Sequence, residues 1–149
     1  MSQPYLDTSL VVKLIVAEPL SARVQAYLQE RGCAVPYTRL IEIETVNTLH
    51  AKFFRREMTR PQLRACEDLI ADYLAEGRFI RPVLSMDDIF AEALKRLPTN
   101  TGGTGCRTLD LMHVASAKLL GFREFASTDK LQLKACKAAS LTPGDLSVP

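Results

Sequence analysis

The sequence predicts an α/β fold in which a parallel sheet of four or five strands is covered by helices on both faces. Three observations carry this. Short apolar segments alternate with longer stretches of helical periodicity, as parallel sheets with crossover helices require. The first of these segments, Gln3-Pro4-Tyr5-Leu6, stops on an acid, Asp7, and is followed at once by a helical pattern. At 149 residues, 47% hydrophobic and 24% charged, the chain has the size and composition of one globular domain, residues 1–149, able to bury about 70% of its unfolded surface.

The elements follow in order. Leu10 to Val16 and Leu20 to Arg31 are helical by pattern, with Pro19 suited to a first turn and Gly32 to a stop. Cys33 to Pro36 is a second strand. Thr38 caps a long helix over Arg39 to Glu57, in which Leu40, Ile43, Val46 or Asn47, and His50 or Ala51 recur at three- and four-residue spacing. Thr59-Arg60-Pro61-Gln62 opens the next helix, which closes on Gly77. Phe79 to Val83 is a third strand, and Ser85 caps a helix through Leu97. Pro98 to Arg107 is a loop. Thr108 then caps an apolar helix ending at Gly121, Phe125 to Ser127 is a fourth strand, Asp129 begins a last helix, and Ser140 to Thr142 is a fifth, edge strand before a proline-flanked tail. No internal repeat or low-complexity segment interrupts the series.

Several function classes drop out. Cys33, Cys66, Cys106 and Cys136 are spread with no Cys-x-x-Cys pair, against structural zinc and against a disulfide scaffold. A cytoplasmic protein is expected: no basic residue precedes Lys13, so no secretory leader is expected, and no apolar run approaches membrane length. The net charge of +2 permits a polyanionic partner without requiring one.

Most acids belong to polar helix faces, but four do not. Asp7 ends the first strand, Glu44 lies between Ile43 and Val46, Asp110 is in a first helical turn, and Asp129 follows the fourth strand. Asp110 and Asp129 have a simple alternative role at helix N-termini, where anions are favoured. A parallel sheet brings strand ends and helix starts to one edge, where ligands bind. Carboxylates gathered there repel one another unless a cation joins them, and oxygen-only ligands suit Mg²⁺ or Mn²⁺ rather than zinc. Phosphodiester hydrolysis is the natural chemistry of such a site.

The residues that carry a family resemblance are these. Tyr5-Leu6-Asp7-Thr8-Ser9-Leu10-Val11-Val12-Lys13-Leu14 resembles the opening of PIN-domain ribonucleases, in particular the VapC toxins of toxin–antitoxin pairs. Glu44 followed by Thr48-Leu49 resembles the family's helical glutamate, Arg107 to Ala115 its third acidic block, and Phe125-Ala126-Ser127-Thr128-Asp129 its last strand and acid. The resemblance implies a three-layer α/β/α sandwich with Asp7 on the central strand. It also implies that Asp7, Glu44, Asp110 and Asp129 ligate one or two Mg²⁺ or Mn²⁺ ions for hydrolysis of RNA, leaving 5′-phosphate and 3′-hydroxyl ends. Ser9 and Ser127 would be accessory hydroxyls, or helix caps. Glu42 is the alternative helical acid, on a different face from Glu44. A small antitoxin chain would cover the acidic site, in a homodimer or toxin–antitoxin assembly.

Other features weigh less. His113, one turn after Asp110, is a packed, hydrogen-bonded histidine before it is a ligand. Thr101-Gly102-Gly103-Thr104-Gly105 lacks the Gly-Lys-Ser/Thr of a nucleotide cradle and is expected as a mobile loop at the rim of the site. Arg107 contacts a phosphate or the backbone. Lys52-Phe53-Phe54-Arg55-Arg56, with Arg60 and Arg64, is either a dimer or antitoxin interface or a base-stacking nucleic-acid patch. A haloacid-dehalogenase-like phosphatase needs a second acid where Ser9 stands, and a receiver module needs adjacent acids. A non-catalytic, degenerate PIN-like module that binds nucleic acid or a partner is the alternative to the nuclease.

Overall fold

The computed structural model describes residues 3–147. In chain order the elements are β1 (Pro4–Leu6), α1 (Thr8–Ile15), α2 (Ser21–Gln29), β2 (Val35–Pro36), α3 (Arg39–Phe54), α4 (Arg60–Ala75) and β3 (Phe79–Ile80). There follow α5 (Met86–Arg96), α6 (Thr101–Thr104), α7 (Thr108–Leu119), β4 (Glu124–Ser127), α8 (Lys130–Ala138) and β5 (Thr142–Asp145). They form two compact units, Met1–Asp7 with Pro82–Pro149, and Thr8–Arg81.

The first unit is built on a three-stranded parallel sheet in the order β1-β4-β5. Tyr5 pairs with Phe125 and Leu6 with Ala126, and the Asp7 amide extends the ladder by donating to Ala126 O at 3.0 Å. Pro4 and Pro143, which lack an N–H, both sit on edge strands, where the missing donor is tolerated. The middle strand contributes the fully buried Phe125, Ala126 and Ser127. Leu133, Ala135 and Cys136 of α8, all buried, lie against it, and α8 in turn packs on α7, whose Val114, Ala115 and Ala117 are also buried. Tyr5 stacks on Phe125 with ring centres 5.3 Å apart. Burial raises the Cys136 thiol to about 11, so it is an inert core residue.

The second unit holds a two-stranded parallel sheet, β2 with β3, and helices α1 to α4. Its core joins Leu10, Val11 and Leu14 of α1 to Val24 of α2, Ile41 and Leu49 of α3, and Phe79 of β3. Tyr37 stacks on Phe79 at 4.9 Å. Its burial, with the Glu42 carboxylate close by, lifts the phenol to about 12.

The mixed α/β class with parallel strand pairing is as expected. Several details differ. The five strands are divided between sheets of three and two rather than gathered into one central sheet of four or five, and β4, not the strand leading to Asp7, is the middle of the larger sheet. The fifth strand lies two residues later than Ser140, because Ser140 takes a left-handed turn (φ 60°) out of α8. Helix α2 begins at Ser21 rather than at Leu20: Leu20 is left-handed, and Ser21 Oγ accepts from the Glu18 amide while donating to Val16 O. The stretch before Arg107 contains the helical turn α6, held by Asn100, whose Nδ2 donates to Ala135 O at 2.5 Å. Caps at Thr38, Thr59 and Ser85 form where expected, the second as a full capping box with Gln62. The proline-flanked tail lies partly outside the described residues.

Candidate active site

Asp7 follows the last residue of β1 and is only 4% exposed. A buried carboxylate needs hydrogen-bond donors, and the middle strand supplies one: Ser127 Oγ donates to Asp7 Oδ2. Parallel pairing makes this meeting possible, since Leu6 opposite Ala126 puts Asp7 opposite Ser127. The same Ser127 oxygen accepts the Asp129 amide at 2.9 Å and lies 3.1 Å from Gln132 Oε1. Asp129 is the N-cap of α8, its Oδ1 accepting from the amides of Leu131 (2.8 Å) and Gln132 (3.3 Å). That occupies one of its oxygens and leaves Oδ2 for a ligand.

Asp110 sits at the third position of α7, where its Oδ2 accepts the Arg107 amide at 3.2 Å. The N-cap is therefore Arg107, and Thr108 is already helical, contrary to the expected Thr108 cap. The Arg107 side chain is 79% exposed and lies 3.7 Å from Asp110 Oδ2. Its guanidinium thus extends from a largely covered Asp110, 18% exposed, into solvent. One turn on, His113 is buried, with Nδ1 2.9 Å from the Tyr5 hydroxyl and its ring edge-on to Tyr5. It is a packed histidine tying α7 to β1.

In the second unit, Glu44 Oε2 accepts from Thr8 Oγ1 at 2.6 Å. Glu44 does not lie on an apolar stripe. The buried line of α3 runs through Ile41, Thr45 and Leu49, while Ile43 is 64% exposed. A buried threonine and an exposed isoleucine reverse the hydrophobic pattern, so the stripe inferred from Ile43 and Val46 is displaced by about half a turn. Glu44, Thr8 and Ser9 line a cavity of about 310 Å³ together with Lys13, Lys52, Glu18 and Arg55. Lys52 Nζ is 2.5 Å from Glu18 and Lys13 Nζ is 3.4 Å from it. Burial alone raises the Glu18 carboxyl, but the two lysines outweigh it and hold it low. Glu42, the alternative helical acid, is gripped by both guanidinium nitrogens of Arg81 at 2.6 Å and by Arg39 at 2.7 Å. Arg81 above all holds its carboxyl below 4.5, and Glu42 is an ion-pair residue.

In the basic stretch Phe54 is 85% exposed, and the Arg60 guanidinium lies 5.1 Å from the Phe53 ring. Thr8 and Gln132 escaped sequence reasoning. The signal for Gln132 was available, since it shares the three- and four-residue spacing of the buried Ala135 and Cys136.

The donor chemistry of Asp7, Asp110 and Asp129 suits a hard divalent cation: oxygens only, with Asp110 and Asp129 each committing one carboxylate oxygen to an amide. Among the described residues no group of three or more His, Cys, Asp or Glu side chains is gathered closely enough to hold a metal ion. No helix among them is long and apolar enough to cross a membrane.

Comparison with known families gives one match: the PIN domain, over residues 5–138. The chain belongs to the PIN domain family. That match takes in all four acids, from Asp7 to Asp129, and runs through both units. PIN domains are generally nucleases, so membership assigns the chain a nuclease-like, hydrolytic function, and PIN domains commonly use divalent metal ions. No curated protein and no solved structure matches the chain.

Proposed function

We propose that this PIN domain is a Mg²⁺- or Mn²⁺-dependent endoribonuclease, acting as the VapC-type toxin of a toxin–antitoxin pair in the cytoplasm. The observation that carries the reading is Asp7, a buried carboxylate at the carboxyl end of a parallel strand, oriented by a hydroxyl from the neighbouring strand. The fold spends a buried serine on that acid, which a solvated surface aspartate would not need. Asp7, Asp110 and Asp129 would hold the cation, with Glu44 as the fourth acid that the resemblance implies.

The cation, when bound, supplies Lewis acidity and a water of lowered pKa for attack on a phosphodiester. The chain's own residues supply position. Ser127 holds Asp7 Oδ2. Asp129 and Asp110 each spend one oxygen on a helix amide, which fixes the direction of the other. Arg107, exposed beside Asp110, neutralises a phosphate of the substrate, and the products carry 5′-phosphate and 3′-hydroxyl ends. The exposed Phe54 and its basic neighbours form the interface with the antitoxin or a second toxin chain, whose binding covers the acids.

The test is incubation of purified protein with a panel of structured RNAs in Mg²⁺, in Mn²⁺ and in chelator, with Asp7→Asn alongside. Cleavage that needs metal and Asp7 is expected; cleavage persisting in chelator or in the variant overturns the mechanism. Growth arrest on expression without antitoxin tests the toxin role separately.

A further inference from the structure

We infer that Gln132 is a positioning residue for Asp7, acting through Ser127. The inference rests on the nuclease reading above and on a proton count. Ser127 is fully buried, and its hydroxyl oxygen has three neighbours: Asp7 Oδ2, the Asp129 amide at 2.9 Å, and the Gln132 carboxamide at 3.1 Å. A hydroxyl owns one proton and two lone pairs, so three contacts are satisfied only as one donated and two accepted. The Asp129 N–H is one of the accepted bonds. Asp7 Oδ2 is a carboxylate oxygen, which accepts, so the serine proton goes to it. Gln132 must then donate.

The two ends of a carboxamide are the same size, and its bonds decide which end faces a neighbour. Gln132 therefore turns its Nε2–H to Ser127 Oγ rather than its oxygen. The arrangement that keeps the oxygen facing Ser127 would send the serine proton to Gln132 and leave Asp7 having to donate, which a carboxylate does not do. With two N–H groups donating into its oxygen, the Ser127 O–H is polarised into a stronger donor, and its rotation is stopped. Gln132 is buried at 4% exposure on the inner stripe of α8, and its own amide is capped by Asp129. One residue thus couples the N-cap acid of α8 to the strand acid on β1.

Two measurements test this. In metal-free, chelator-treated protein, amide NMR should show one Gln132 Nε2 proton exchanging slowly, with that protection lost in Ser127→Ala. Both protons exchanging at the solvent rate, or protection indifferent to Ser127→Ala, overturns the inference. In the nuclease assay, Gln132→Met, close in volume but unable to donate, should lower kcat about 10-fold with KM unchanged, and should add nothing in a Ser127→Ala background. Additive losses would mean that Gln132 only packs, and would overturn it too. A wild-type protein that cut no RNA would defeat the nuclease reading while the NMR result still decided the proton's direction.

Discussion

In the first unit a hydroxyl meets its acid deep in the fold: Ser127 is fully buried and donates to an Asp7 that is 4% exposed. In the second unit Thr8 donates to Glu44 at 2.6 Å with both residues half-buried, beside a cavity of about 310 Å³. The two pairs share a chemistry and differ in what enforces it. Disturbing the first leaves polar groups unsatisfied in the core, at about 1–3 kcal/mol each, so the fold itself holds Asp7. The second is open to solvent, which can replace a lost partner. The contrast extends further. The first unit buries polar groups in pairs, Tyr5 with His113 and Asn100 with Ala135. The second relies on partly exposed ion pairs, Lys52 with Glu18 and Arg81 with Glu42.

The largest expected effect lies at Asp7. Asp7→Asn keeps an oxygen for the Ser127 proton and should fold with an unchanged circular dichroism spectrum. Its nuclease rate should fall by about 10³-fold or more, roughly 4 kcal/mol of transition-state stabilisation. An active Asn variant would dissolve the distinction between the two acids. Next, Tyr5→Phe removes the hydroxyl hydrogen-bonded to a buried histidine and should cost about 1–2 kcal/mol in urea unfolding. Thr8→Val should lower kcat by no more than about 10-fold, since water can take over the bond to Glu44. A loss as deep as that of Asp7→Asn would show that Glu44 is held as rigidly as Asp7.

The smallest effect is at Arg81→Ala, about 0.5 kcal/mol at neutral pH, because Arg81 is 40% exposed and its pair is screened. Its sign with pH is fixed. Glu42 has a folded-state pKa held below its ordinary 4.5, so its contribution is present above 4.5 and fades as pH falls through the lowered value. Urea midpoints of wild type and variant should therefore converge between pH 7 and pH 3. Midpoints that stayed equally far apart at pH 3 would place Arg81's contribution in packing instead.

Local chemistry was the legible part of this chain. Thr38, Thr59 and Ser85 announce their helices because a cap involves residues only three apart. The phase of α3 was not legible, because its buried line carries Thr45 and its exposed side carries Ile43. The division of strands into two sheets was hidden as well, since two-residue strands such as β2 and β3 have no periodicity to read. At the candidate site the acids stood out one by one, but their supports did not. Thr8 reaches Glu44 across 36 residues and Ser127 reaches Asp7 across 120, and nothing in a linear pattern joins such pairs.

Helix α7 carries Asp110 in its first turn and His113 in its second, and the latter is bonded to Tyr5, two residues before Asp7. An acid and a core contact therefore share one short rod. A random search for harmless variants of this protein would return Tyr5 and His113 alongside the carboxylates. Only a comparison of soluble yield with remaining activity would tell the broken frame from the disarmed site.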